Sequence, residues 1–475
     1  MTLLIRGVPI INIDELTRKR ITRVTLTTAF LTTFMSSALN LSIPNISTEF
    51  NVGAGEVGWL VTIYTLTVAA FCVPLGKLAD ITGKSRMLKL GLGGFGFLTF
   101  LCMLVNSFSL FLILRALQGI SAAMIFATNN PIIIEAYPPN QRGKALGLST
   151  AATYVGLSAG PVIGGIINHN LGWHYIFVFS GIISVAAFIL AVMGTPEDSY
   201  RKSNITIELD YVGTIIYVPM IFMLLYGISL VGSSRLAYAF IIAAIILGAI
   251  FVRNELRQSL PIIKISMFVH DRELSLSNLA ALLNYGATFA ISYLISIYLQ
   301  VALGFSSQTA GIILVTMPLM QALFSPGMGK LSDRIVPCRL ATAGMLCCIA
   351  TLLLFIITMQ QYSVVYIIVA LIIGGIGFAL FSSPNTNAIN ARLSIEDRAM
   401  GNSVLATMRT VGQSLSMCIV TVIVNLRLGD IPLQSAGNTI LVNTIRICFA
   451  VFVILCIAGT LMSAARNVED TGVEK

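Results

Sequence analysis

Apolar runs of about 20 residues, the length needed to cross a bilayer, recur from one end of the chain to the other with short polar breaks between them. They predict spanning helices at 22–45, 57–79, 87–106, 108–134, 146–168 and 174–194, then at 210–231 and 236–253. Six more follow at 274–302, 307–328, 340–358, 362–384, 402–425 and 440–464. An even number of crossings puts both termini on one side, and the bias of Lys and Arg toward cytoplasmic loops chooses the side. With cytoplasmic termini, only Arg235 and Arg427 fall in outer loops, and Arg115, Arg409 and Arg446 lie inside spans. All other Lys and Arg lie in or beside inner segments. The pattern is that of an all-α integral membrane protein with fourteen spans.

The breaks divide the chain into a cytoplasmic segment (1–21), a six-helix bundle (22–198), two inserted helices (199–253), a linker (254–273), a second six-helix bundle (274–465) and a cytoplasmic tail (466–475). The linker region "RNELRQSLPIIKISMFVHDREL" mixes charges with an apolar patch from Ile262 to Phe268 and is expected to lie along the inner membrane surface. The first apolar run follows Arg18, Lys19, Arg20 and Arg23 and lacks a small-residue cleavage site, so it reads as a spanning helix and not as a removed signal peptide.

Composition sharpens this. Of 475 residues, 56% are hydrophobic and 10% charged, against about 25% charged in a soluble domain; the solvent for such a surface is lipid. The net charge of +9 comes from basic residues scattered between apolar runs, without aromatic-interleaved patches, which excludes a nucleic-acid partner. The eight cysteines form no CxxC pair, and all but Cys338 lie in apolar segments, where they read as small buried hydrophobes. His169, His174 and His270 are too dispersed to suggest a metal site. No metal and no cofactor are expected.

An internal repeat refines the architecture. "GKLAD" (Gly76 to Asp80) returns as "GKLSD" (Gly329 to Asp333) at an offset of 253 residues, each after a Pro-containing helix and before a basic loop. "RGKALG" from Arg142 is echoed by "RAMGNS" from Arg398. Repeated six-helix halves mark transporters, and six spans with short loops need only about 190 residues, so the offset leaves room for two further helices. The plan is six plus two plus six.

At this point the sequence resembles the major facilitator superfamily, and within it the fourteen-helix drug:proton antiporter family. "GKLADITGKSR" is similar to the superfamily's loop motif through Gly76, Leu78, Asp80, Gly83, Lys84 and Arg86. "RALQG" resembles the motif with an intramembrane arginine, Arg115. "GLSAGPVIGG" in the fifth span resembles the antiporter motif, and "GWHYIFVF" the family's entry into the sixth. One departure stands out. "FMSSALNLSIPNI" keeps Asn40 and Pro44, but Met35 stands where the family usually carries an aspartate.

The resemblance implies a transporter and not an enzyme. An enzyme is also disfavoured because no carboxylate pair, His cluster or nucleophile motif is seen at a consistent membrane depth. Gly76, Asp80, Gly83, Lys84, Arg86, Glu135, Arg142 and the repeat's Asp333 are candidates for a cytoplasmic latch, with Asp80 accepting from a neighbouring helix N-terminus and an ion network around it. Gly156, Gly160 and Gly164 recur every fourth residue, so one face of the fifth span can be approached closely at the domain interface. Pro161, beside Gly165, offers no N–H to the carbonyl of Leu157, which permits a bend. Arg115 and Arg409 are intramembrane charges and functional candidates, while Arg446 is expected to snorkel outward.

Polar, mostly neutral cavity walls are expected from Asn40, Tyr64, Asn129, Asn130, Tyr154, Asn284, Tyr285, Tyr293, Gln321, Asn385 and Asn387. The family-like reading is export of lipophilic, cationic small molecules from the cell across the plasma (inner) membrane in exchange for protons, by a monomer. The proton gradient supplies the energy. Buried arginines without buried acids favour the alternative, a carrier for an anionic or zwitterionic metabolite.

Overall fold

The structure is a computed structural model that describes residues 14–138, 141–195, 210–258, 261–332, 334–361, 363–393 and 398–466. Among these no strand occurs. Thirteen helices are long and apolar enough to cross a membrane, and a fourteenth span is the bent pair Glu15–Leu39 and Ile43–Glu49, broken by 58°. Asp333, in the second copy of the loop motif, lies outside the described residues.

The break in the first span has a local cause. Pro44 sits at the start of the second piece and has no N–H for the carbonyl of Asn40. That carbonyl is satisfied from the other half of the molecule, by Ser296 Oγ at 2.8 Å. The fifth span, Arg142–Asn170, meets the same problem differently. It runs unbroken through Pro161, and Ser37 Oγ of the first span donates to the freed Leu157 carbonyl at 3.2 Å. At each proline a serine on a neighbouring helix replaces the missing donor.

One large core runs through both bundles. A second, smaller core gathers Tyr217, Ile221, Leu225 and Phe251 of the inserted helices Tyr211–Ser229 and Leu236–Glu255 against Leu66, Ala69 and Ala70 of the second span and Val411 and Cys418 of the thirteenth. The inserted pair therefore flanks the seam between the bundles. Between 261 and 271 the linker forms a short helix, Ile265–His270. Its apolar patch packs, half-buried, against the protein. Ile263 and Ile265 pack on the second core, Met267 and Phe268 on the first.

The two bundles close against each other on the outer side. Thr62 and Thr421 share a hydrogen bond of 2.9 Å, and Ser307 Oγ donates to the Gly165 carbonyl at 3.2 Å. The backbone N–H groups of Ala54 and Gly55 donate to Ile431 and Gly429 at 2.9 and 3.2 Å. Further along the seam the bundles enclose a cavity between them.

Two expectations about charge change here. Arg446 does not snorkel outward; it ties the last span to the eleventh, donating from Nε to the Ile356 carbonyl at 2.8 Å. Arg466, assigned to the tail, is 2% exposed and reaches back to Asn385 Oδ1 and Ser277 Oγ at 2.8 and 3.0 Å. A carboxylate pair at common depth does exist: Asp210 and Glu255, at the inner ends of the two inserted helices, are 2% and 3% exposed.

Candidate substrate cavity and conformational contacts

The central cavity measures about 390 Å³ and is lined from both bundles. Of the residues expected there, Asn40, Tyr64, Asn129, Asn130, Tyr154, Tyr285 and Gln321 line it, and the intramembrane Arg409 joins them. Four do not. Asn284 is fully buried with its amide toward Cys348 Sγ (3.9 Å). Tyr293 is buried in the main core, Asn385 serves Arg466, and Asn387 donates to Ser332 Oγ at 2.6 Å. Their helices present other residues inward.

The wall that was missed is made of hydroxyls. Thr28, Thr32, Ser36 and Asn40 recur every fourth residue along the first span and share the cavity face, with Thr33 and Ser37 beside them. Thr28, Thr32 and Thr33 donate to their own helix at Val24, Thr28 and Ala29 carbonyls (2.7, 3.1 and 2.8 Å). A hydroxyl that has spent its proton on the backbone presents only lone pairs outward. The Oδ1 atoms of Asn40 and Asn129 also have no partner within the protein. The N-terminal wall is rich in acceptors.

The opposite wall carries the charge. Among the described residues lining the cavity, Arg409 is the one charged side chain. Its Nη2 donates to Thr386 Oγ1 at 2.8 Å, its guanidinium lies 5.5 Å from the Tyr285 ring centre, and its buried Nε has no acceptor. Phe126, Phe289 and Phe378 add aromatic surface, with Phe378 edge-on to Tyr285. Met35, at the position of the family's acid, is 1% exposed in the core and does not reach the cavity.

Arg115 is also outside the cavity. It is 1% exposed, donates from Nε to the Leu60 carbonyl at 3.1 Å, bonds Gln118 Oε1, and stacks 4.3 Å from the ring centre of Tyr64. Carbonyl dipoles and a π face offset its charge; it faces cargo only through Tyr64.

At the inner ends of the second to fourth spans, Lys84 pairs with Asp80 at 3.2 Å and with Glu135. Asp80 lies in the last turn of its helix, not in a loop, and among the described residues no helix N-terminus donates to it. Gly83 has φ of +108°, a conformation open to glycine at little cost. Arg142 stands apart from the ion pairs, donating to the Tyr137 carbonyl at 3.2 Å. Arg86 makes a polar contact of its own.

The family model for the Major Facilitator Superfamily matches residues 25–261 and 278–472. The chain belongs to this superfamily. It is similar to the riboflavin transporter RibZ of Clostridioides difficile (30% identity over 386 residues, 81% of this chain and 84% of that one). It is also similar to the multidrug resistance protein Stp of Mycobacterium tuberculosis (24% over 388 residues, 80% and 71%). The crystal structure of a bacterial homologue of the human lysosomal transporter Spinster, inward-facing and unoccupied, shares the fold. Its TM-score is 0.70 at 15% identity, over 95% of this chain and 97% of that one.

In this facilitator the glycine stripe of the fifth span has a different neighbour from the one expected. Gly156, Gly160 and Gly164 pack on Phe30, Ser37 and Ala38 of the first span, inside the same bundle. The face across the bundle seam is formed by Gly165, whose α-carbon allows Ser307 to approach, and by the Pro161 carbonyl, against which Gly311 lies. The motif thus fixes one helix to its own bundle with one face and meets the other bundle with the next.

Proposed function

We propose that this multi-pass facilitator exports planar, hydrogen-bonding aromatic molecules that are neutral or anionic, by alternating access across the plasma membrane and in exchange for protons. The observation that carries the reading is Arg409, a cation in the cavity with an unused Nε donor and no carboxylate beside it among the described residues. A cationic cargo would have to enter against that charge. An anion or an electron-rich carbonyl edge would fill the open donor, and cargo N–H or O–H groups would meet the acceptors of the first span. Tyr and Phe side chains supply faces for a flat ring. The riboflavin carried by the relative named above is a molecule of this kind. Both bundles and the whole cavity come from one chain, so a monomer suffices.

The test is transport in proteoliposomes under an imposed pH gradient with riboflavin, fluorescein and ethidium as cargoes. A hydrogen bond to a charged group contributes about 1.5–3 kcal/mol, so Arg409→Ala should weaken fluorescein uptake by roughly ten- to a hundredfold. Strong ethidium transport that ignores Arg409 would return the reading to export of lipophilic cations.

A further inference from the structure

The pair at the base of the inserted helices has no place in the cavity. Asp210 caps the helix Tyr211–Ser229, its Oδ1 accepting from the Gly213 N–H at 2.8 Å, and its Oδ2 accepts from Asn254 Nδ2 at 3.1 Å. Glu255 Oε2 accepts from the Ile263 N–H of the linker at 2.9 Å. Three of the four carboxylate oxygens therefore have N–H donors. The fourth, Glu255 Oε1, is buried without one. It shares the space over Gly213 with Asp210 Oδ2, so closely that a Cβ on Gly213 would collide with both, and the two carboxyl groups lie within hydrogen-bond reach.

Two buried carboxylates in contact cannot both ionise without a large cost, and a shared proton removes it. The missing donor for Oε1 is then an O–H between the two residues. We propose that Asp210 and Glu255 bind one cytoplasmic proton between them, and that this proton clasps the linker that joins the inserted helices to the second bundle. With the proton bound, the pair carries a single charge met by the Gly213, Asn254 and Ile263 donors. Its loss leaves two like charges in contact, and the group free to retreat is Glu255, which takes the Ile263 amide with it. Alkaline cytoplasm loosens the linker.

Charged side chains on the elements around the pair include Lys77, half-buried, and Asp80, exposed, on the second span, Arg409 on the thirteenth, and the exposed Arg253, Arg257, Lys264 and Arg272. Asp271 caps the next helix and Glu273 pairs with Arg392, while Tyr211 and Tyr217 belong to the first inserted helix. The linker helix also carries the imidazole of His270, which is exposed, with Nδ1 2.7 Å from the Ser266 carbonyl oxygen.

Infrared titration of the full-length protein in lipid should show a protonated-carboxyl band at neutral pH that disappears on alkalinisation. Maleimide labelling at Ile262→Cys, read by mass spectrometry at that residue, should rise over the same range. Glu255→Gln mimics the protonated form. It should abolish the band, because no carboxylate pair remains to share a proton, and keep labelling low at every pH, while His270→Gln should leave both readouts as in the parent. Absence of the band at neutral pH, or labelling whose pH dependence survives Glu255→Gln, overturns the proposal. Neither readout involves cargo, so the proposal and the transport reading fail separately.

Discussion

Gly76 and Gly160 both sit inside helices, in sequence motifs of equal prominence, yet the structure assigns them opposite sensitivities. An alanine Cβ at Gly76 would find its nearest neighbour, Ala127 Cβ, at 3.6 Å, an ordinary contact. At Gly160 it would stand 2.6 Å from Ser37 Cβ, 3.0 Å from the Phe34 carbonyl oxygen and 3.1 Å from the Ala38 nitrogen. Backbone atoms of a packed helix cannot step aside as a side chain can. Replacing Gly by Ala in a helix interior gains about 1 kcal/mol of propensity. That gain is common to both sites and cancels in their comparison, leaving the overpacking cost of about 1–3 kcal/mol at Gly160 alone. A domain of some 150–250 residues shifts by about 2–4 °C per kcal/mol, so thermal unfolding of the two purified variants should differ by several degrees. Gly76→Ala should match or exceed the parent. Equal melting temperatures would refute the claim that the glycine stripe exists to seat the first span.

Two further substitutions separate roles within the charged groups. Asp80→Asn keeps size but loses the charge-assisted contact to Lys84, about twice as strong as a neutral one; transport should fall strongly at unchanged membrane abundance, and normal transport would reduce the motif to a topology signal. Arg115→Gln should weaken transport of cargoes of every charge alike, because Arg115 acts by holding the Tyr64 ring; a loss confined to anions would place it at the cargo instead.

What the sequence by itself determined is what depends on local composition and period. Apolar runs of bilayer length, the distribution of Lys and Arg and the 253-residue repeat are one-dimensional signals, and they specify spans, orientation and the six-two-six plan because lipid admits little else for such a chain. The hydroxyl face of the first span was equally local: Thr28, Thr32, Ser36 and Asn40 follow a period of four and could have been read. Other assignments depended on what stands opposite. Nothing near Pro161 or Pro44 in sequence announces Ser37 or Ser296 as replacement donors, 120 and more residues away. Whether Asn385 faces a cavity or a buried arginine is decided by Arg466, far along the chain. Asp210 and Glu255 read singly as helix-end charges, and become a carboxylate pair only when two helices fold back to back over Gly213. Helix geometry fixes which residues share a face, but only the packing of helices decides whether that face meets lipid, cargo or another helix.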